Sequence, residues 1–359
     1  MSKKEATVSP YAGLKANCRH ITSQDAVSDK IRFVTGTSVV GKSNQIQILE
    51  YDDIHGNIHC VQSLDHPNEI WWLSCHPTDP NLIFSVSSNS NSPNKITSLY
   101  KCPENDAVNT FNSQDKQPME CLATFANPDQ SAKRVFFLPS NTEKCLISAS
   151  MSLNIYDIAS PEKIINTISV DDNHKIHSAA PDPLHPNTIA FCSGKSLNLW
   201  DMRTNSITYS INDAHSPSAL DVAFNENKSF WICSGGSDGY LKCWDIRNSQ
   251  PECQFRASSH WVTRTVPSTS HEQLILTSGT DSKVRVFNAL KFAFQSEGKL
   301  PEGEIVKSIR HDDSVYCATW ASHNPWVFAS VSYKGQVNIC QLPSQVVDSI
   351  LMGSDTESD

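Results

Sequence analysis

Seven-residue apolar runs bounded by Ser, Asn, Gly or Asp recur along the chain: NLIFSVS (81–87), KCLISAS (144–150), NTIAFCS (187–193), SFWICSG (229–235) and QLILTSG (273–279). Runs this short, rich in β-branched and aromatic residues and closed by turn formers, read as strands. Each passes through a polar turn into an alternating segment such as YLKCWDI or KVRVFNA, the pattern of a hairpin with one buried face. No segment carries a convincing helical stripe. The pattern predicts an all-β chain.

The strands repeat. NLWDMR (198–203), KCWDIR (242–247) and RVFNAL (285–290) close successive units, and Asp157, Asp201, Asp245 and Asn288 stand 43 or 44 residues apart. That period, with a Trp-Asp ending, is the spacing of a four-stranded propeller blade. The unit starts agree in register. HPNEIWWLSC (66–75), HSPSALDVAF (215–224) and HDDSVYCATW (311–320) share a leading His, and SSHWVTRTVP (258–267) keeps the frame with Ser258 in its place. Seven units are predicted, at 12–64, 65–126, 127–170, 171–212, 213–258, 259–310 and 311–352. Residues 1–11 are assigned to an N-terminal extension. The closing outer strand is assigned to VVDSILM (346–352), with Tyr11–His20 as the other choice, because 14–21 is needed as the first inner strand.

Polar stretches at 87–94 and 103–118, and the segment 290–304, read as mobile insertions. GSDTESD (353–359) reads as a disordered acidic tail in which Ser354, Thr356 and Ser358 could accept phosphate. With 29 basic and 38 acidic residues the net charge is −9, which argues against a general nucleic-acid or anionic-membrane binder. No apolar window is long enough to span a bilayer, so a soluble, cytoplasmic, monomeric chain is expected. The 12 cysteines are dispersed, none at C-x-x-C spacing, and read as reduced core residues.

Three chemical motifs need weighing. GTSVVGKS (36–43) fits the phosphate-binding G-x-x-x-x-G-K-[ST], whose mechanism requires a helix N-terminus directly behind it. Here NQIQILEYDD follows with period two, a strand, so no nucleotide is expected. GGSDG (235–239) fits G-x-S-x-G, but a nucleophile elbow also needs a following helix, and YLKCWDIR is a strand. His55/His59 and His174/His177 lack partners at metal-ligand spacing. Neither a cofactor, a metal nor a catalytic residue is expected. His215, Ser234, Asp238 and Trp244 fall instead into a structural chain: indole to Ser, Ser to His, His to Asp.

The repeat resembles that of WD-repeat β-propellers. HDDSVYCATWASHNPWVFASVSYKGQVNI (311–339), SNQIQILEYDD (43–53), NEIWWLSCHP (68–77) and SSHWV (258–262) resemble the EARP- and GARP-interacting WD-repeat protein family, from which the sequence departs at Lys334, Ser258 and Gly194. The resemblance implies a seven-bladed propeller acting as a non-enzymatic adaptor for tethering complexes. It also implies roles in endosomal recycling, endosome-to-Golgi transport and sorting of secretory-granule cargo, with recruitment to endosomes and the trans-Golgi network through partners.

In a propeller the loops carry function. The His-led frame directs Glu69, Trp71, Leu220, Trp261, Asp312 and Tyr316 to one face around the channel. They form an aromatic anchor set with acidic flanks, suited to a helical or extended partner segment bearing some positive charge. A second reading rests on WDMR (200–203) and WDIR (244–247). Both match the W-D-x-R signature of ubiquitin-ligase substrate receptors, with Arg203 and Arg247 as contacts to a cullin adaptor.

Overall fold

A computed structural model describes residues 8–89, 94–104, 116–171, 174–248, 250–289 and 304–353. Their 28 strands form seven four-stranded antiparallel sheets. The inner strands are β2 (Cys18–Ser23), β6 (Glu69–Cys75), β10 (Arg134–Leu138), β14 (Ile176–Pro181), β18 (Ala219–Phe224), β22 (Val262–Pro267) and β26 (Val315–Trp320). Each contacts the next around the circle, and β26 returns to β2. The result is a closed seven-bladed β-propeller, an arrangement that leaves only short protected edges.

Large side chains pack between neighbouring blades. Trp72 and Phe84 of the second blade meet Val135 and Phe137 of the third, and Leu274 and Leu276 of the sixth meet Trp320 and Phe328 of the seventh. A side chain of this size contributes about 1.5–3 kcal/mol when fully buried, so each blade is held chiefly by its neighbours.

The ring closes differently from the sequence expectation. β1 (Val8–Tyr11) pairs antiparallel with β28 (Val337–Gln341), from Val8 opposite Cys340 to Tyr11 opposite Val337. The outer strand of the seventh blade therefore comes from the N-terminus, and residues 8–11 belong to the ring rather than to an extension. The run assigned to that strand, 346–352, lies in a helix instead, α1 (Ser344–Gly353). Val346, Val347 and Ile350 recur at helical spacing and pack with Trp320, Trp326 and Phe328. Once β1 occupies the sheet edge no ladder remains for the last segment. A helix satisfies its own backbone while burying that stripe.

Most of the three insertions and the tail with Ser354, Thr356 and Ser358 lie outside the described residues. All 12 cysteines are free. Among the described residues no helix is long and apolar enough to cross a membrane.

Candidate functional site

Two faces follow from the antiparallel order of each blade. The upper face carries the loops before the inner strands and the turns between second and third strands, because His215 and Asp238 meet there. Third strands run from those turns to the opposite side, so the Trp-Asp endings belong to the lower face.

A defect shared by six inner strands shapes the upper mouth of the channel. Pairing with the second strand slips by one residue near the start of β2, β6, β14, β18, β22 and β26. The residues skipped are Arg19, Trp71, His177, Leu220, Thr263 and Tyr316. A bulge leaves the extra residue out of the ladder and re-aims its side chain. In the third blade Lys133 stands at the corresponding place, its N–H donating to Ser148 O at 2.7 Å. Five of the six bulge residues, with Trp261, line one cavity of about 260 Å³ at this mouth. Trp261 is 50 % exposed and Tyr316 36 %.

The residues following the bulges form a deeper layer across the channel. Asp221, fully buried, takes Arg134 at 2.6 Å, Ser178 at 2.8 Å, the Thr265 N–H at 2.6 Å and Arg264 at 3.4 Å. One carboxylate thus ties together the third, fourth, fifth and sixth blades. Burial alone would raise its pKa, but the two guanidinium groups outweigh that and hold it below the usual carboxylate range. Trp72 lies beneath, 4.6 Å from Arg134, 4.9 Å from Arg264 and against His20 at 3.8 Å. Two arginines on one aspartate leave the floor of the cavity net positive.

Cations also surround the rim. The Arg19 guanidinium lies 4.1 Å from the Trp71 ring centroid, 5.1 Å from Tyr333 and 5.5 Å from Tyr316. The Lys95 ammonium lies 3.6 Å from the same Trp71 ring, and the indole N–H donates to Ser88 Oγ at 2.7 Å. Burial, then Arg19, lowers the Lys95 pKa to about 8. Burial and a surround of Lys95, Arg134 and Lys175 do the same for Lys133. Burial first, and then Lys133, Arg134 and Lys175, lower the His177 pKa to about 4.

The acidic flanks expected from the sequence do not set the charge here. Asp312 is exposed and accepts from Ser332 Oγ at 2.9 Å, and Glu69 is half-buried. Sequence reading missed Arg19, Lys95, Lys133, Arg134 and Arg264, which bring positive charge to this mouth. The signal was the buried apolar residue just before: Cys18 and Ala132 hold the place of Ile70 and Ala219.

The family model described as the EIPR1 beta-propeller matches residues 6–287, and a WD domain, G-beta repeat model matches 303–340. The chain belongs to the EIPR1 β-propeller family. It is 30 % identical over 378 residues to the EARP-interacting protein homolog of Gekko japonicus, and 29 % identical to EARP and GARP complex-interacting protein 1 of Homo sapiens. Each alignment covers 95 % of this chain and 98 % of the relative. WD repeat-containing protein DWA2 of Arabidopsis thaliana is 28 % identical over 91 % of this chain and 94 % of its own.

The other singled-out residues of this EIPR1-family propeller serve the blades. Trp244 Nε1 donates to Ser234 Oγ at 2.8 Å, Ser234 lies 2.7 Å from His215 Nε2, and His215 Nδ1 lies 3.0 Å from Asp238. Burial lowers the His215 pKa, with Asp238 acting against it. In the sixth blade, where Ser258 stands in the histidine's place, Arg285 on the third strand takes the turn aspartate instead, donating to Asp281 at 2.6 Å and to Ala257 O at 2.6 Å. In the seventh, His311 reaches Ser330 at 2.9 Å while its Nδ1 has no partner. Arg203 and Arg247 lie on the lower face, each paired with the Asp of its own motif, Asp201 at 2.9 Å and Asp245 at 2.5 Å.

Both enzyme-like motifs occupy hairpins. GTSVVGKS bridges strands Ile31–Thr37 and Asn44–Asp52, with Gly41 at φ 70° and the strand resuming directly after Ser43. In GGSDG, Gly239 takes φ 80°, and a Cβ on Gly236 would collide with the His215 ring. The glycines there answer to turn geometry and close packing. Among the described residues no cluster of His, Cys, Asp or Glu could hold a metal.

Proposed function

We propose that the chain is a non-enzymatic adaptor that engages subunits of EARP and GARP tethering complexes through the upper channel mouth. The supporting observation is the ring of bulge residues, with Trp71, Tyr316 and half-exposed Trp261 around one cavity. It occurs in a chain whose relatives are named for interacting with those complexes. Rigid aromatics in a partly desolvated pocket are where interface energy concentrates, at about 2 kcal/mol or more per hot-spot side chain. In this reading the protein works as a single cytoplasmic chain, brought to endosomes and the trans-Golgi network by its partners. It there supports endosomal recycling, endosome-to-Golgi transport and sorting of dense-core vesicle cargo.

The test is capture of tethering subunits from cells by the tagged full-length chain, wild type against a Trp71→Ala/Trp261→Ala double variant. Capture is expected to fall by about tenfold or more if each indole carries even half of a hot-spot contribution. Undiminished capture by a double variant with native melting behaviour overturns the proposal.

A further inference from the structure

The channel mouth carries a charge opposite to that of the whole chain. The net charge is −9, yet Arg19, Lys95, Lys133 and Lys175 gather around the rim, over a floor where two arginines share Asp221. Among the described residues no carboxylate lies within ion-pairing distance of any of the four. The half-buried Arg19 is held by aromatic rings, and its Nε is buried without a hydrogen-bond partner. Buried polar groups are normally paired, and desolvated cations are costly unless compensated. A donor left open beside the cavity, among cations that repel one another, is a site built for an anion to complete.

We infer that the partner segment received by this mouth is an acidic peptide. Its carboxylates lie on Arg19, Lys95 and Lys133, and an apolar side chain enters between Trp261 and Tyr316. The chemistry follows from the two kinds of surface. Arginine and lysine give charge-assisted hydrogen bonds to carboxylates, and a cavity lined by indole, phenol and Leu220 takes an apolar group. A membrane headgroup shares the negative charge, but it supplies no side chain for the aromatic cavity. The inference rests on the adaptor reading and names the chemistry of what is bound.

The experiment uses the full chain and a fluorescent peptide in which glutamates flank a central leucine, with glutamine replacing every glutamate in the control. Anisotropy is expected to show about tenfold or more tighter binding of the glutamate peptide, weakened by added salt. Arg19→Gln with Lys95→Gln is expected to remove most of that difference. Because Arg19 packs on three rings, the exposed Lys175→Glu provides a second variant that leaves the packing intact and weakens binding in the same direction. Equal affinity for the two peptides, or affinity unchanged in both variants, overturns the inference. So does binding to phosphatidylserine vesicles without binding to the peptide.

The two proposals fail separately. If tethering subunits are captured and lost on the tryptophan changes but indifferent to Arg19→Gln/Lys95→Gln, the adaptor reading stands and the acidic preference falls. If the wild-type chain captures none of them, the adaptor reading falls whatever the peptide does.

Discussion

The two ends of the channel are built from the same seven strands and have opposite chemistry. At the upper end, bulges re-aim one side chain in each of six blades, and arginine, lysine and aromatic rings meet there. At the lower end the strands run out into Pro77, Pro139, Pro181, Pro183 and Pro267, around a cavity of about 530 Å³. The titratable groups at that rim include Asp25 and Glu226. Glu226 is raised above the usual carboxyl range by loss of hydration and then by Asp25. Proline cannot donate to a ladder and suits a strand end. It offers no charge and little reach, so the lower rim is smooth where the upper one is equipped. The contrast also shows that net charge is a poor guide to local charge: a chain of net charge −9 gathers several cations at one mouth.

The largest effect that would sharpen this comparison comes from the floor of the upper mouth. Asp221→Ala leaves the buried Arg134 and the half-buried Arg264 without their shared carboxylate and cuts a tie among four blades. Removing one partner from a buried ion pair costs about 3–5 kcal/mol. Chemical denaturation should show a loss of that size. A loss below about 1 kcal/mol, the scale of an exposed pair, would mean that the network is not what locks the channel.

Acid should act through the upper half next. His66 and His311 are buried before inner strands and held to about 4, chiefly by burial. Their unfolded value is near 6.5. The folded pKa is the lower one, so between about 6.5 and 4 the unfolded chain binds more protons and stability falls as pH falls. Each group adds a slope of up to about 1.4 kcal/mol per pH unit in that window. Denaturation midpoints at neutral pH and near pH 5 measure it. A flat profile would show that these rings are hydrated in the folded protein.

Much of this was legible in the sequence, and the failures have physical causes. The strand runs and the spacing of Asp157, Asp201, Asp245 and Asn288 carry the architecture, because a blade buries its faces only against its neighbours and the period must persist. The His-led frame reached Trp71, Leu220 and Tyr316, since a leading His and a small or branched apolar residue four places on mark the register. It missed Arg19 and Lys133 because their blades lack the leading histidine, although Cys18 and Ala132 hold the small buried place. Lys95 was beyond local reading altogether, since it comes to Trp71 from the third strand of its blade. The ring closure went wrong for a related reason. Four residues, Val8–Tyr11, are too few to show alternation, whereas Val346, Val347 and Ile350 fit a short strand as well as a helix until the edge is occupied.

A smaller effect belongs to the lower rim. Glu226→Gln removes a carboxylate that faces Asp25 without leaving a buried charge behind. Stability is expected to change by less than about 0.5 kcal/mol, as for most surface substitutions, and affinity for the glutamate peptide should not change. An effect on peptide binding comparable to that of Lys175→Glu would mean that charge is sensed along the whole channel, and the distinction between its ends would fail.

The least effect is expected where the sequence offered the rival reading. Arg203 and Arg247 are both largely exposed, and each lies across the Asp of its own turn. Those aspartates are held below the usual carboxylate range first by the Arg side chains, so local pairing accounts for the Arg in W-D-x-R without any partner. Exposed pairs of this kind contribute little, and both residues sit on the face away from the aromatic cavity. Arg203→Glu with Arg247→Glu should therefore leave the melting temperature, peptide binding and capture of tethering subunits unchanged. Loss of tethering capture with peptide binding intact would move the docking surface to the lower face. Loss of cullin-adaptor association in the same variant would instead give those two arginines the contact that the W-D-x-R signature describes.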